Sequence, residues 1–168
     1  MFGDLHIHMI LDGVYYRAAI DAQKEHPLDG LVRARLSDYQ ARGVCLLRDG
    51  GDAWGVSLRA RELAGEYGID YRSPAFPIYR RGHYGAFIGR GFDTEDEYRA
   101  LLDEAGEKRA DFIKLMISGL IDFDHFGVLT EPGPEPQDIR RMIKLAHAAG
   151  FAVMAHANGD RAVTAALQ

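Results

Sequence analysis

His6 and His8 stand two apart in Asp-Leu-His-Ile-His. In an extended strand alternate side chains share a face, so both imidazoles would lie together with Leu5 and Ile7 opposite. Two such nitrogens at a strand end can hold one divalent cation; a pair of histidines satisfied by hydrogen bonds would show the same spacing. Lys114 interrupts the apolar run Phe-Ile-Lys-Leu-Met-Ile, which is too short for a helix. On the face shared with Phe112, Met116 and Ser118 it would be buried, and burial of an ammonium favours the neutral amine. A neutral amine reacts with carbon dioxide to give a carbamate whose oxygens can bridge two cations. The plainer alternative is a lysine paired with a buried aspartate or reaching out to solvent. His156 ends another apolar run, Phe-Ala-Val-Met-Ala-His, as His8 ends the first. Each residue alone has a structural explanation; a His-x-His, a buried lysine and a histidine recurring at strand ends point to a metal centre.

Five apolar runs, ending near His8, Arg48, Ile78, Ser118 and His156, are each followed by a loop and a segment of helical spacing. Such βα repetition implies a parallel sheet. Thr94 with Glu97 three residues on is a capping box ahead of Tyr98, Leu101, Leu102 and Ala105. Ile139, Met142, Ile143 and Ala146 keep helical spacing between Pro136 and Gly150. Segments 31–42, ended by Gly43, and 54–67, ended by Gly68, read the same way, and 159–168 opens a fifth helix. The expected architecture is α/β, with the parallel βα units of a TIM-like (β/α)8 barrel. About its first five strands would be present, as one partial barrel domain over residues 1–168. A complete barrel takes about 250 residues, so the outer strands need covering, by a second copy or by a C-terminal half.

The 168 residues, 47% hydrophobic and 27% charged, are the mix of a globular domain rather than a disordered one. A net charge of −5 without a basic run argues against a nucleic-acid partner. The apolar stretch around Phe112 to Ile121 falls short of the roughly 20 residues of a membrane span, so no membrane partner is expected. The first residues lack the basic and apolar regions of a secretory signal. Cys45 has no second cysteine to pair with, and a cytoplasmic setting is the expectation.

Five segments together resemble the amidohydrolase superfamily of metal-dependent hydrolases, in its imidazolonepropionase-like and prolidase-like branch. They are Asp4-Leu-His-Ile-His8, Gly43 to Asp49 with Gly50-Gly51, Gly82-His-Tyr-Gly85, Ala110 to Met116, and Ala155-His-Ala-Asn-Gly159. The resemblance implies that His6 and His8 bind a first metal, that a carboxylated Lys114 bridges to a second, and that His156 binds the second. It implies one or two divalent ions, zinc the best fit to histidines and a carbamate. The implied chemistry is hydrolysis of a C–N bond in a small amide, lactam or peptide-like substrate by metal-activated water. His83 would polarise the carbonyl or hold a carboxylate, with Arg80 or Arg81 assisting. Arg48, Arg80, Tyr84 and Asn158 are the candidate substrate contacts, although Arg48 and Asp49 could simply pair with each other. His26, His125 and His147 read as surface or packing residues; Trp54, Tyr15 and Tyr16 read as packing residues.

Two elements of the family pattern, a histidine after its sixth strand and an aspartate general base after its eighth, have no counterpart in these 168 residues. The histidine that often follows in a His-x-His pattern after the fifth strand is here Asn158. An alternative reading is a polymerase-and-histidinol-phosphatase-like phosphoesterase, whose first strand also reads Asp-Leu-His-x-His. That family has an Asp-His pair after its second strand, where this chain has Arg48-Asp-Gly-Gly-Asp52. A third reading is a catalytically incomplete partial barrel that binds metal or a partner chain.

Overall fold

A computed structural model describes residues 2–168. The chain falls into two compact units, the first ending at Phe76 and the second spanning Pro77–Gln168.

The first unit contains β1 (Phe2–Ile7), α1 (Tyr16–Asp21), α2 (Asp29–Ala41), β2 (Val44–Asp49), α3 (Val56–Ala64) and β3 (Asp70–Arg72), with a 3-10 turn at Gly65–Tyr67. Its strands form a parallel sheet in the order β1-β2-β3. Val32 and Leu36, one turn apart on α2, are fully buried, as are Val56 and Ala60 on α3. Gly43 and Gly68 follow the helical segments with φ of 76° and 67°, the left-handed conformation that glycine takes without a Cβ penalty. The spacing does not foretell α1, and Tyr15 and Tyr16 are 65% and 42% exposed rather than packed. That helix is short, and only Ala19 and Ile20 of it are buried.

β1 departs from simple alternation. Asp4 pairs with Leu47 and Ile7 with Asp49, so Leu5 and His6 share the one position opposite Arg48. This is a bulge, which breaks the two-residue period locally. Leu5 is accordingly 51% exposed while Ile7 is buried, and the two do not form a common apolar face.

The third expected strand, ending near Ile78, is two strands, β3 and then β4 (Pro77–Arg80) in the second unit. Between them Pro74 has no amide hydrogen to give a ladder and Ala75 sits at φ 66°.

The second unit continues with β5 (Arg90–Phe92), α4 (Glu95–Glu107), β6 (Ile113–Met116), α5 (Pro136–Ala148), β7 (Val153–His156) and α6 (Gly159–Leu167). Its sheet is parallel throughout, in the order β5-β4-β6-β7. β5 has three residues, too few to leave a periodic signal. The capping box at α4 forms as expected: Thr94 Oγ1 accepts the Glu97 amide, and Tyr98, Leu101, Leu102 and Ala105 are buried. Tyr98 ties α4 to α5 through a hydroxyl donated to the Met142 carbonyl at 3.0 Å. β6 lies between β4 and β7, and all four of its residues are buried. Among the described residues no helix is long and apolar enough to cross a membrane.

Candidate functional site

In the first unit the His6 and His8 rings lie side by side, their centroids 5.5 Å apart and their planes at 55°. His6 is exposed and its amide donates to Asp4 Oδ1, a local bond that suits the bulge. His8 is half-buried, and its Nδ1 lies 2.9 Å from the Gly51 carbonyl oxygen. A carbonyl only accepts, so Nδ1 carries the hydrogen, and in the neutral ring Nε2 carries the lone pair. Two adjacent imidazoles, one with its tautomer set by a backbone acceptor, fit a divalent cation.

Beside them lies a buried acid pair. Asp49 is wholly buried and accepts the Gly51 amide at 2.6 Å, the Met9 amide at 3.0 Å and the Tyr71 hydroxyl. Burial raises its pKa despite these bonds. Asp52 accepts the amides of Trp54, Val56 and Ser57, anchoring the first turn of α3. Burial, reinforced by the charge of Asp49, pushes Asp52 up to about 6. The ion pair expected between Arg48 and Asp49 does not form. Successive strand residues point to opposite faces: Asp49 turns into the core, while Arg48 donates from Nε to the Leu5 carbonyl at 2.8 Å.

In the second unit Lys114 has no exposed surface. Lys114 pairs with Met154 and Met116 with His156, so the register places Lys114, Met116, Met154 and His156 on one face of the sheet. Burial, followed by the Lys114 charge, lowers the His156 pKa and so favours the neutral imidazole. His156 Nε2 lies 3.2 Å from both the Gly119 carbonyl oxygen and Asn158 Nδ2. Asn158 also donates Nδ2–H to Gly119 O at 2.8 Å and its amide to Ser118 Oγ at 2.7 Å. The Tyr84 ring sits 5.0 Å from the His156 ring.

Spacing gave no sign of Glu131, in a loop without periodicity. It accepts from His83 Nδ1 and from the Tyr84 amide, both at 2.8 Å, and so holds the whole His83-Tyr84 turn. Burial works to raise its pKa, but the His83 ring and the amides of Tyr84 and Gly133 outweigh it and hold it low. Arg80 pairs with Asp138, and Arg81 with Asp93 and Glu97. An assisting role for either arginine requires those pairs to open. His26, His125 and His147 are exposed. Among the described residues, no three His, Cys, Asp or Glu side chains gather into a ready metal cage.

In fold the chain is similar to a part of several solved hydrolase structures. It is similar to a prolidase crystallised with N-methylphosphonate-L-proline (TM-score 0.67, 22% identity, 99% of this chain and 45% of that one). It is also similar to the ochratoxinase of A. niger (TM-score 0.69, 17% identity, 98% of this chain and 44% of that one). A third match is an amidohydrolase (TM-score 0.57, 22% identity, 98% of this chain and 45% of that one). The chain therefore spans less than half the length of the structures it resembles. No protein-family model and no curated protein matches the sequence.

Proposed function

We propose that the chain supplies the N-terminal metal ligands of a divalent-metal hydrolase that cleaves a C–N bond in a small amide, lactam or peptide-like molecule. The single observation that carries this reading is Lys114, a lysine without exposed surface on a central strand and on the same sheet face as His156. Burial of an ammonium is a cost that a purely structural position would avoid with an apolar residue. The adjacent imidazoles of His6 and His8 support it, as does the likeness in fold to a prolidase and an amidohydrolase.

In this reading His6 and His8 hold one cation, and Lys114, as its carbamate, and His156 hold a second, with zinc the best match. A cation so held polarises the scissile carbonyl and lowers the pKa of water. His83, oriented by Glu131, turns Nε2 toward the substrate; Tyr84 and Asn158 shape the surroundings of His156, and Arg48 and Arg80 are candidate contacts for a substrate carboxylate. The chain contributes about the first five strands of a (β/α)8 barrel, as one partial domain. The general base comes from an aspartate that is not among these residues. The outer strands are covered by further chain or by a second copy; the exposure of Phe2 (70%) and Leu5 (51%) on the edge strand β1 supports such a cover. A reducing, cytoplasmic setting suits the lone Cys45.

The test is metal content per chain, by elemental mass spectrometry on protein purified without chelator, with His6→Ala as control. One to two transition-metal ions per chain, reduced in the control, is the expected result and directs a screen of acylated amino acids and Xaa-Pro dipeptides. Equal metal in both proteins, or none in either, refutes the assignment.

A further inference from the structure

The turn Asp49-Gly50-Gly51-Asp52 supplies no ligand in the reading above, yet three of its residues bear on the His8 ring. The Gly51 carbonyl accepts the His8 Nδ1–H at 2.9 Å. The Gly51 amide donates to Asp49 Oδ1 at 2.6 Å, and the Met9 amide donates to Asp49 Oδ2 at 3.0 Å. That second amide belongs to the peptide bond formed by the His8 carbonyl. One carboxylate thus grips both the residue that carries the imidazole's acceptor and the peptide from which the imidazole itself extends. The Tyr71 hydroxyl, also on Oδ2, sets the rotation of the carboxylate. Gly50 leaves the gap the ring occupies: a Cβ there would lie 2.4 Å from His8 Cε1 and 2.6 Å from Nε2.

We infer that Asp49 is a positioning residue for His8, fixing its orientation and its Nδ1–H tautomer so that Nε2 is the nitrogen presented to a cation. The inference rests on the metal-ligand reading of His8 for its purpose but not for its geometry. Because Asp49 is wholly buried, water does not compete for its bonds, and each keeps its full directional effect. Asparagine in its place would set an NH2 group against one of its donors and loosen the grip. Asp52 provides the comparison. It is buried in the same turn, but its carboxylate holds the first amides of α3 and neither peptide of the His8 clamp.

The experiment is 15N NMR of the histidine ring nitrogens in the metal-free chain, with His8 assigned by the His8→Gln variant, followed by titration with Zn2+ alone. In the unmodified chain His8 is expected as the Nδ1–H tautomer. Asp49→Asn is expected to shift His8 toward a mixture of tautomers and to weaken Zn2+ binding about 10- to 100-fold, the usual effect of losing a group that orients a ligand. Asp52→Asn is expected to leave the His8 nitrogens in place. Where Asp49→Asn does not fold, Tyr71→Phe, which removes one of the two donors to Asp49 Oδ2, carries the same expectation at smaller size. An Nε2–H tautomer in the unmodified chain overturns the inference. So do unchanged His8 nitrogens in a folded Asp49→Asn variant or, failing that variant, in Tyr71→Phe. A His8 that responds as expected in a chain that binds no Zn2+ upholds the positioning role and removes the metal reading alone.

Discussion

β1 and β6 carry their candidate ligands under opposite conditions. β1 is an edge strand, bulged at Leu5 and His6, with four of its six residues exposed. β6 is a central strand with every residue buried. On β1 orientation comes from hydrogen bonding, through the Gly51 carbonyl and the Asp49 clamp. On β6 the lysine is held without exposed surface, away from water. The edge strand leaves His6 open to water, while the central strand withholds water from Lys114.

The sharpest way to break this contrast is at Lys114. Lys114→Ala is expected to remove one of two bound metal ions while the helix content seen by circular dichroism is unchanged. Full metal retention would end the proposed ligand role of Lys114.

A second pair of variants compares the strands as structure. Leu115→Ala on β6, at 1% exposure, is expected to cost about 2–5 kcal/mol in denaturant unfolding. Leu5→Ala on β1 is expected to stay within about 0.5 kcal/mol. Similar costs at the two sites would show that β1 is covered in solution.

Glycines sharpen it further. A Cβ on Gly133, at φ 78°, would lie 2.2 Å from the Ile117 carbonyl oxygen, a backbone atom that cannot step aside. Gly133→Ala is therefore expected to cost about 2–4 kcal/mol. At Gly50 the obstacle is the end of the His8 side chain. Gly50→Ala is expected to displace that ring and weaken Zn2+ binding while costing about 1 kcal/mol or less in a thermal melt.

The last contrast expected is in pH dependence, and its sign differs between the units. Asp52, raised from 3.8 to about 6, favours the folded state in its protonated form. Its contribution, on the order of 3 kcal/mol, is complete below pH 4 and is lost as pH rises through about 6. Glu131 is lowered, so its contribution is present above its ordinary pKa of 4.5 and is lost on acidification through the depressed value. Unfolding followed by Trp54 fluorescence in the first unit, and by tyrosine signals assigned to the second, should show stabilities moving in opposite directions between pH 6 and pH 4. Parallel movement would place the dominant titrations elsewhere.

Much of this was legible in residue types and spacing. The strand ends at Arg48 and His156, the capping box at Thr94, the buried stripe of α5 and the burial of Lys114 all follow from periods of two and 3.6 and from an apolar run with one charge in it. Those signals are local, and local patterns specify which element forms and which face is apolar. Tertiary structure decided the bulge that separates Leu5 from Ile7, the division of the third strand at Pro74 and Ala75, and the turn of Asp49 into the core away from Arg48. It also decided the grip of Asp49 on His8 and of Glu131 on His83, partners 41 and 48 residues apart along the chain. Such pairings depend on which backbone donors are left for a buried carboxylate once strands and helices have packed. No local pattern encodes that; it exists only when distant segments have been brought together.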